Sequence, residues 1–256
     1  MSEQKRAADG TRNLDHQRRT IGDVTYFDRG VIEGENGRRY QRFAIQTHFV
    51  KPQEDQAALL ERYVRPLYQE GDMLSFGAKV MGMCVGSVKT RAQVKPGFWA
   101  KFLYRFASHN STGIGMHEPY KLQMSIEKAG LPRILLATVL SALTKPFGVK
   151  GVFYKVAGHD IAGIDGFYPD SDFAEYHELA VDNPPQADKL CDELTEKTGI
   201  PVVVMDANDF HRNQLGKSQK SPLTDEELQE AMRDNPSGQG AELTPFILIR
   251  PLKEKA

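Results

Sequence analysis

Cysteine is scarce in this chain: Cys84 and Cys191 are the only two among 256 residues. Two thiols cannot build the disulfide framework that staples small secreted domains, so a reducing cytoplasm is the expected setting. Long apolar runs are missing as well, and none approaches the roughly 20 residues that a membrane-spanning helix needs. The opening residues, MSEQKRAADGTRNLDHQRR, lack the apolar stretch of a signal peptide. Neither sign of charge dominates. A formal net charge of -1 predicts no global attraction to nucleic acid or to an anionic membrane. HExxH, CxxC and GxSxG are all absent. The Gly113-Ile-Gly115 stretch fits neither a Walker loop nor a dinucleotide fingerprint.

What is present is ordinary for a globular protein, with 40% apolar and 26% charged residues. The length suits one large domain or two intimate ones, burying roughly three-quarters of the unfolded surface. Residues 1–24 read as a flexible tail, and 25–256 as one α+β domain with a helical insert at about 95–150. VTYFDRGVIEGENGRRYQRFAIQTHFV predicts a hairpin turning at Gly34-Glu-Asn-Gly37. EDQAALLERYVRPLYQ carries its leucines at helical spacing. MLSFGAKVMGMCVGSV reads as a strand broken by three glycines, either a bent strand or one approached closely by a ligand. Helices are predicted near 96–107, 119–129 and 132–146, the first with its aromatics in the core and the last largely buried. GVFYKVAG reads as a short strand, and the stretch from Ala162 to Pro185 as a long loop. Asp188 to Thr198 predicts an amphipathic helix ended by Gly199. IPVVVMD has the continuous apolar run of a sheet interior. Thr224 and Glu227 stand at capping-box spacing, and TPFILIRPL closes the chain as a strand. The irregular mixture implies an α+β class with mixed or antiparallel sheets and packed helices.

Four islands hold residues suited to chemistry. Asp206 ends the VVVMD strand, a good place for a divalent-cation ligand, although Asp-Ala-Asn-Asp is equally a turn former. In AGIDGFYPD, Asp165 lies between glycines that let a ligand come close, with Asp170 and Asp172 as further carboxylates or plain surface residues. NPSGQGAELTP offers Gly238 and Gly240 to free backbone N–H groups for phosphate, with Gln239 and Glu242 in reach of a metal; a glycine hairpin is the plainer alternative. THFVKPQEDQ joins a strand to a helix start, where unpaired N–H groups attract anions. Lys79 is a candidate phosphate contact or a surface lysine, and Cys84 reads as a buried thiol.

Taken in order, THFVKPQEDQAALL, EGDMLSFGAKVMGMCVG, AGIDGF, NPPQADKLCDELTEKTGIPVVVMDAND and SGQGAELTPFILIRPL resemble the blocks of the coenzyme F-420 gamma-glutamyl ligases over about residues 43–251. The resemblance implies that family's fold and a GTP- or ATP-dependent ligation of L-glutamate to a deazaflavin-type carboxylate through an acyl phosphate. It implies Mg2+ or Mn2+ on Asp165, Asp206, Gln239 and Glu242, with a monovalent cation such as K+ as a further expected ion. Nucleotide contacts are implied at Thr47, His48, Phe49, Val50, Lys79, Gly238, Gln239 and Gly240. A cytoplasmic homodimer without nucleic-acid or membrane partners is the matching expectation. The chain departs from the family pattern at Phe167-Tyr168, Ala207 and Met83. A non-catalytic nucleotide- or deazaflavin-binding homologue, or a ligase for another carboxylate, therefore stands beside the main reading.

Overall fold

The computed structural model of the protein describes residues 17–107, 116–149, 151–158, 161–167, 173–207, 212–238 and 242–252. The chain divides into two compact units, one of Met1–Gly86 with Pro184–Ala256 and one of Ser87–Asn183.

In chain order the first unit opens with strands β1 (Arg18–Ile21), β2 (Val24–Glu33) and β3 (Arg39–Ile45). Helix α1 (Gln56–Leu59) runs into a π-helical turn, Leu60–Val64, and then come β4 (Met73–Gly77) and α2 (Ala78–Cys84). The second unit holds β5 (Val88–Thr90), α3 (Phe98–Leu103), α4 (Pro119–Ala129), α5 (Leu131–Thr144), α6 (Val152–Ala157), α7 (Glu175–Glu178) and β6 (Leu179–Val181). The chain then completes the first unit with α8 (Ala187–Thr198), β7 (Val202–Ala207), β8 (Arg212–Lys217), α9 (Asp225–Ala231) and β9 (Phe246–Leu252).

The first unit is built on a seven-stranded mixed sheet of order β1-β2-β3-β9-β4-β7-β8. β4 and β7 run parallel, whereas β9 is antiparallel to both of its neighbours, β3 and β4. Its central strands are apolar on both faces because both faces are covered. Leu74, Phe76, Val202, Val204, Phe246 and Leu248 pack with residues of α1, α2 and α8. The alternate residues Met73, Val203, Met205, Ile247 and Ile249 pack with Leu228, Ala231 and Met232 around α9. The unbroken run in β7 thus serves two cores through the period-two alternation of a strand. Each of these side chains contributes roughly 1.5–3 kcal/mol by leaving water.

The α+β class, the hairpin at Gly34–Gly37, β7, β9 and the Thr224–Glu227 capping box all match the sequence reading. Several local assignments differ. Arg18–Ile21 pairs with β2 instead of belonging to the tail, whose residues before Gln17 lie outside those described. The glycine-broken strand is β4 followed by a helix, with Ala78, Met81 and Cys84 at helical spacing on the core side. GVFYKVAG is the helix α6, bracketed by Gly151 (φ 77°) and Gly158 (φ 111°). Its β-branched and aromatic residues favour a strand, but packing against a neighbouring helix overrides that propensity. The long loop after Ala162 contains α7 and β6.

In the second unit, Val94, Leu122, Ile134, Ile161 and Phe167 belong to one separate core. The aromatics of α3, expected inside, are exposed: Phe98, Trp99 and Phe102, with Phe106 just beyond. Only Ala100 and Leu103 of α3 are buried. α5 likewise buries just Ile134 and Ala137, leaving Leu136, Val139 and Leu143 in solvent.

Candidate functional site

Sheet register brings four of the candidate segments to one edge of the first unit. β4 and β7 are parallel, so Gly77, the last residue of β4, lies opposite Met205; Asp206 is the next residue of β7, and Lys79 lies in the first turn of α2. β9 is antiparallel to β4 and β3, so its beginning, Phe246, pairs with Phe76 on one side and Ile45 on the other. The segment before β9 therefore emerges between the ends of β3 and β4. Backbone bonds extend the pairing past the strands, from Thr47 N–H to the Leu243 carbonyl at 2.9 Å and from Gly77 N–H to the Pro245 carbonyl at 2.8 Å. Thr47, Lys79, Asp206 and Glu242–Pro245 thus share the edge where β3, β4 and β7 end, the usual side for ligands in sheets with parallel strands.

Glu242 is the most constrained side chain of the edge. Its Oε2 accepts from Arg29 Nη2 at 2.6 Å, and the two side chains are 7% and 6% exposed. Glu242 Oε1 is buried without a hydrogen-bond partner among the described residues. Arg29 also donates through Nε to the Pro236 carbonyl at 2.8 Å, which ties the loop to β2. Gly238 has φ 75°, and a Cβ there would stand 2.1 Å from Glu242 Oε2. Glycine is required at this position for both reasons. Leu243 holds a left-handed φ of 54°, a conformation costly for a branched residue, close to the carboxylate. The Thr244 hydroxyl donates to the Ser237 carbonyl at 2.6 Å and closes the loop. Gln239 and Gly240 lie outside the described residues.

The segment after β3 is organised by a different network. His48 Nδ1 lies 2.6 Å from the Tyr63 hydroxyl, and Nε2 lies 2.8 Å from Glu54 Oε2. Tyr63 reaches His48 from the π-helical turn, a feature frequent at functional positions. Burial pushes the Glu54 carboxyl up, but the Lys51 N–H and His48 outweigh it and hold the group below its ordinary value. Thr47 and Val50 are buried and His48 is exposed. The helix-start amides expected to face an anion are already used, since Asp55 Oδ1 accepts from Ala57 at 2.8 Å and from Ala58 at 3.2 Å. Cys84 is buried, and its thiol is pushed up to about 12, first by burial and then by Glu54 and Asp55. It is no nucleophile at neutral pH.

Asp165 belongs to the second unit. Its N–H donates to the Val181 carbonyl at 2.7 Å, and its own carbonyl accepts from Val181 at 2.9 Å. Burial, followed by the nearby Asp165 charge, raises the Tyr176 hydroxyl above its usual range. Gly163 does not open space for a ligand there, because the Asn183 side chain fills it, 1.9 Å from where a Cβ would be. Phe167 is fully buried, edge-on to Tyr120 at 5.5 Å and under the Arg91 guanidinium at 4.9 Å. Tyr168, Asp170 and Asp172 lie outside the described residues.

Among the described residues, no three His, Cys, Asp or Glu side chains are grouped to hold a metal ion. Asp206 lies in β7, whereas the Glu242 carboxylate, from the segment before β9, is bonded to Arg29 of β2, on the other side of β9 from β7. Arg29, Tyr63 and Glu54 carry no local sequence signal; Arg29 and Glu242 are 213 positions apart. No model of a known protein family matches this sequence, and no curated protein matches it.

Proposed function

We propose that this protein is a nucleotide- and divalent-metal-dependent amide ligase that adds L-glutamate to a carboxylate of a deazaflavin-type precursor. The observation supporting the reading is the shared sheet edge, where Thr47, Lys79, Asp206 and Glu242–Pro245 meet although they are remote from one another in sequence. A carboxylate is a poor electrophile at neutral pH. Transfer of a terminal phosphoryl group to it gives an acyl phosphate, which the glutamate amine attacks with release of phosphate. In this reading the Thr47–Val50 segment and Lys79 bind and orient the nucleotide, Lys79 by its charge. The Asp206 carboxylate and Glu242 Oε1 are hard oxygen donors suited to Mg2+ or Mn2+, and the unpartnered state of Oε1 fits such a role. A cation held on either carboxylate would neutralise charge on the phosphate oxygens. Arg29 fixes the position of the Glu242 carboxylate through Oε2. In this reading the assembly is a homodimer.

The test is release of GDP or ADP and phosphate from protein given nucleotide, Mn2+, L-glutamate and a deazaflavin carboxylate. Release is expected to depend on both acceptor and glutamate, and to fall at least about a hundredfold in Asp206→Asn. Turnover independent of glutamate, or unchanged in that variant, removes the proposal. A second reading, a non-catalytic binding homologue, draws on Met83. That side chain, on α2, is fully buried, so no lysine-like group can act from it. Nucleotide binding without any product would favour this reading.

A further inference from the structure

Among the described residues, every exposed large apolar side chain except Ile21 and Val31 lies between Phe98 and Val149. They form two stripes. On α3 and the 3-10 turn after it, Phe98, Trp99, Phe102 and Phe106 make a ladder of ring contacts with centroids 5.3–6.3 Å apart. On α5, Leu136, Val139 and Leu143 recur at helical spacing, and Phe147 follows in the next turn with 83% of its surface exposed. These helices bury a different face in the core of their unit, so the outer stripes are not misplaced core. A cavity of about 370 Å³ lined by Leu103, Met116, Leu122 and Phe153 has Phe106 of the first stripe and Thr138, Ser141 and Ala142 of α5, the helix that carries the second, in its wall.

The charge around the stripes identifies the occupant. From Ser87 to Gly158 the sequence has eleven lysines and arginines against two acids, Glu118 and Glu127. The next residues, 159–183, hold seven acids and no lysine or arginine. A chain with net charge -1 thus conceals a sharply basic segment. Lys95, Lys101, Arg105 and Lys155 are exposed and form no ion pair among the described residues. Lys101 on α3 and Arg105 on the following 3-10 turn alternate with these aromatics.

We propose that this face docks on the surface of an anionic lipid bilayer, with the α3 ladder and Phe147 entering the headgroup boundary and the basic residues meeting lipid phosphates. Two exposed apolar stripes on neighbouring elements of one unit are unusual on a free surface. Aromatic and leucine stripes interleaved with lysine and arginine are the chemistry of interfacial helices. The anionic leaflet supplies the matching charge. Net charge averages this away, which is why the sequence reading expected no membrane partner.

Trp99 is the single tryptophan, so its emission reports on this face alone. Full-length protein is titrated with vesicles of phosphatidylcholine, and with vesicles in which about a third is phosphatidylglycerol. The expected result is a blue shift and co-sedimentation with anionic vesicles only, weakened about tenfold or more by high salt. Phe98→Ser/Phe102→Ser, Leu143→Ser/Phe147→Ser and Lys101→Glu/Arg105→Glu should each lower binding about tenfold or more. All six positions are exposed, and unchanged circular dichroism verifies the fold. Absence of the shift, equal binding to neutral vesicles, or wild-type binding by all three variants overturns the proposal. So does a blue shift that grows with protein concentration in the absence of vesicles, which would assign the face to a second copy of the chain.

Discussion

Arg29 and Glu242 face each other at 2.6 Å, almost fully buried, while the second carboxylate oxygen of Glu242 has no hydrogen-bond partner among the described residues. Arg29 satisfies one oxygen of the carboxylate and leaves the other without a partner among the described residues. Arg29→Ala is expected to cost about 3–5 kcal/mol, because it strands a buried charge. Urea denaturation checks this. A loss below about 1 kcal/mol would mean that water reaches Glu242 freely.

Gly238 presses on the same carboxylate. Gly238→Ala brings a Cβ to 2.1 Å from Glu242 Oε2 and forces alanine into a φ of 75°. The strain is expected to cost roughly 1–3 kcal/mol. It should also weaken Mn2+ binding, measured by calorimetry, about as much as Glu242→Gln does. A variant with wild-type stability and metal affinity would show that the loop yields easily.

The start of β4 is pinned to β9 by a two-pronged pair. Arg250 Nε meets Asp72 Oδ1 at 2.8 Å, and Nη2 meets Oδ2 at 2.7 Å. Asp72 is 1% exposed, and Arg250 also caps the Leu67 carbonyl at 2.8 Å. Asp72→Ala is expected to destabilise by about 3–5 kcal/mol. In Asp72→Asn the side chain keeps its shape, so a smaller loss in thermal or urea unfolding is the expected contrast.

Glu227 makes stability depend on acid. Burial pushes its carboxyl up, but the Thr224 N–H, the Tyr40 hydroxyl and Arg38 together hold it below its ordinary 4.5. A lowered folded value means the ionised group stabilises the fold above about 4.5 and loses that contribution as pH falls through the folded value. Melting temperatures followed from about pH 6 to about pH 3 should fall more steeply for the wild type than for Glu227→Gln. Thr224→Ala removes the other half of the capping box and is expected to cost about 1 kcal/mol at any pH in that range. Parallel curves for wild type and Glu227→Gln would contradict the assignment.

These contacts also mark where sequence reasoning reached and where it stopped. β7 was legible because Val202–Met205 has no polar interruption, and that is possible only where both faces of a strand are covered. The capping box was legible because its two partners are three residues apart. α2 was misread as strand because glycines in an apolar run fit a bent strand as well as a short helix. α6 was misread because Val152, Phe153, Tyr154 and Val156 favour strands and only packing decides otherwise. The outward aromatics of α3 were unreadable in principle, since an amphipathic pattern does not say which side the core lies on. At the candidate site, Thr47, Lys79, Asp206 and Glu242 were found as separate islands. Arg29 was not found, because its partner is remote in sequence and nothing around it signals a pair.

The proposed reaction activates a substrate carboxylate by phosphorylation at the edge carrying Asp206 and Glu242. Its most direct test follows a heavy-oxygen label placed in the carboxylate of the acceptor, with nucleotide, Mn2+ and L-glutamate supplied to the full chain. An acyl phosphate intermediate carries one labelled oxygen into the released phosphate, so labelled phosphate should appear in step with amide product and vanish in Asp206→Asn. Amide product accompanied only by unlabelled phosphate, or no nucleotide turnover with any carboxylate offered, would contradict it.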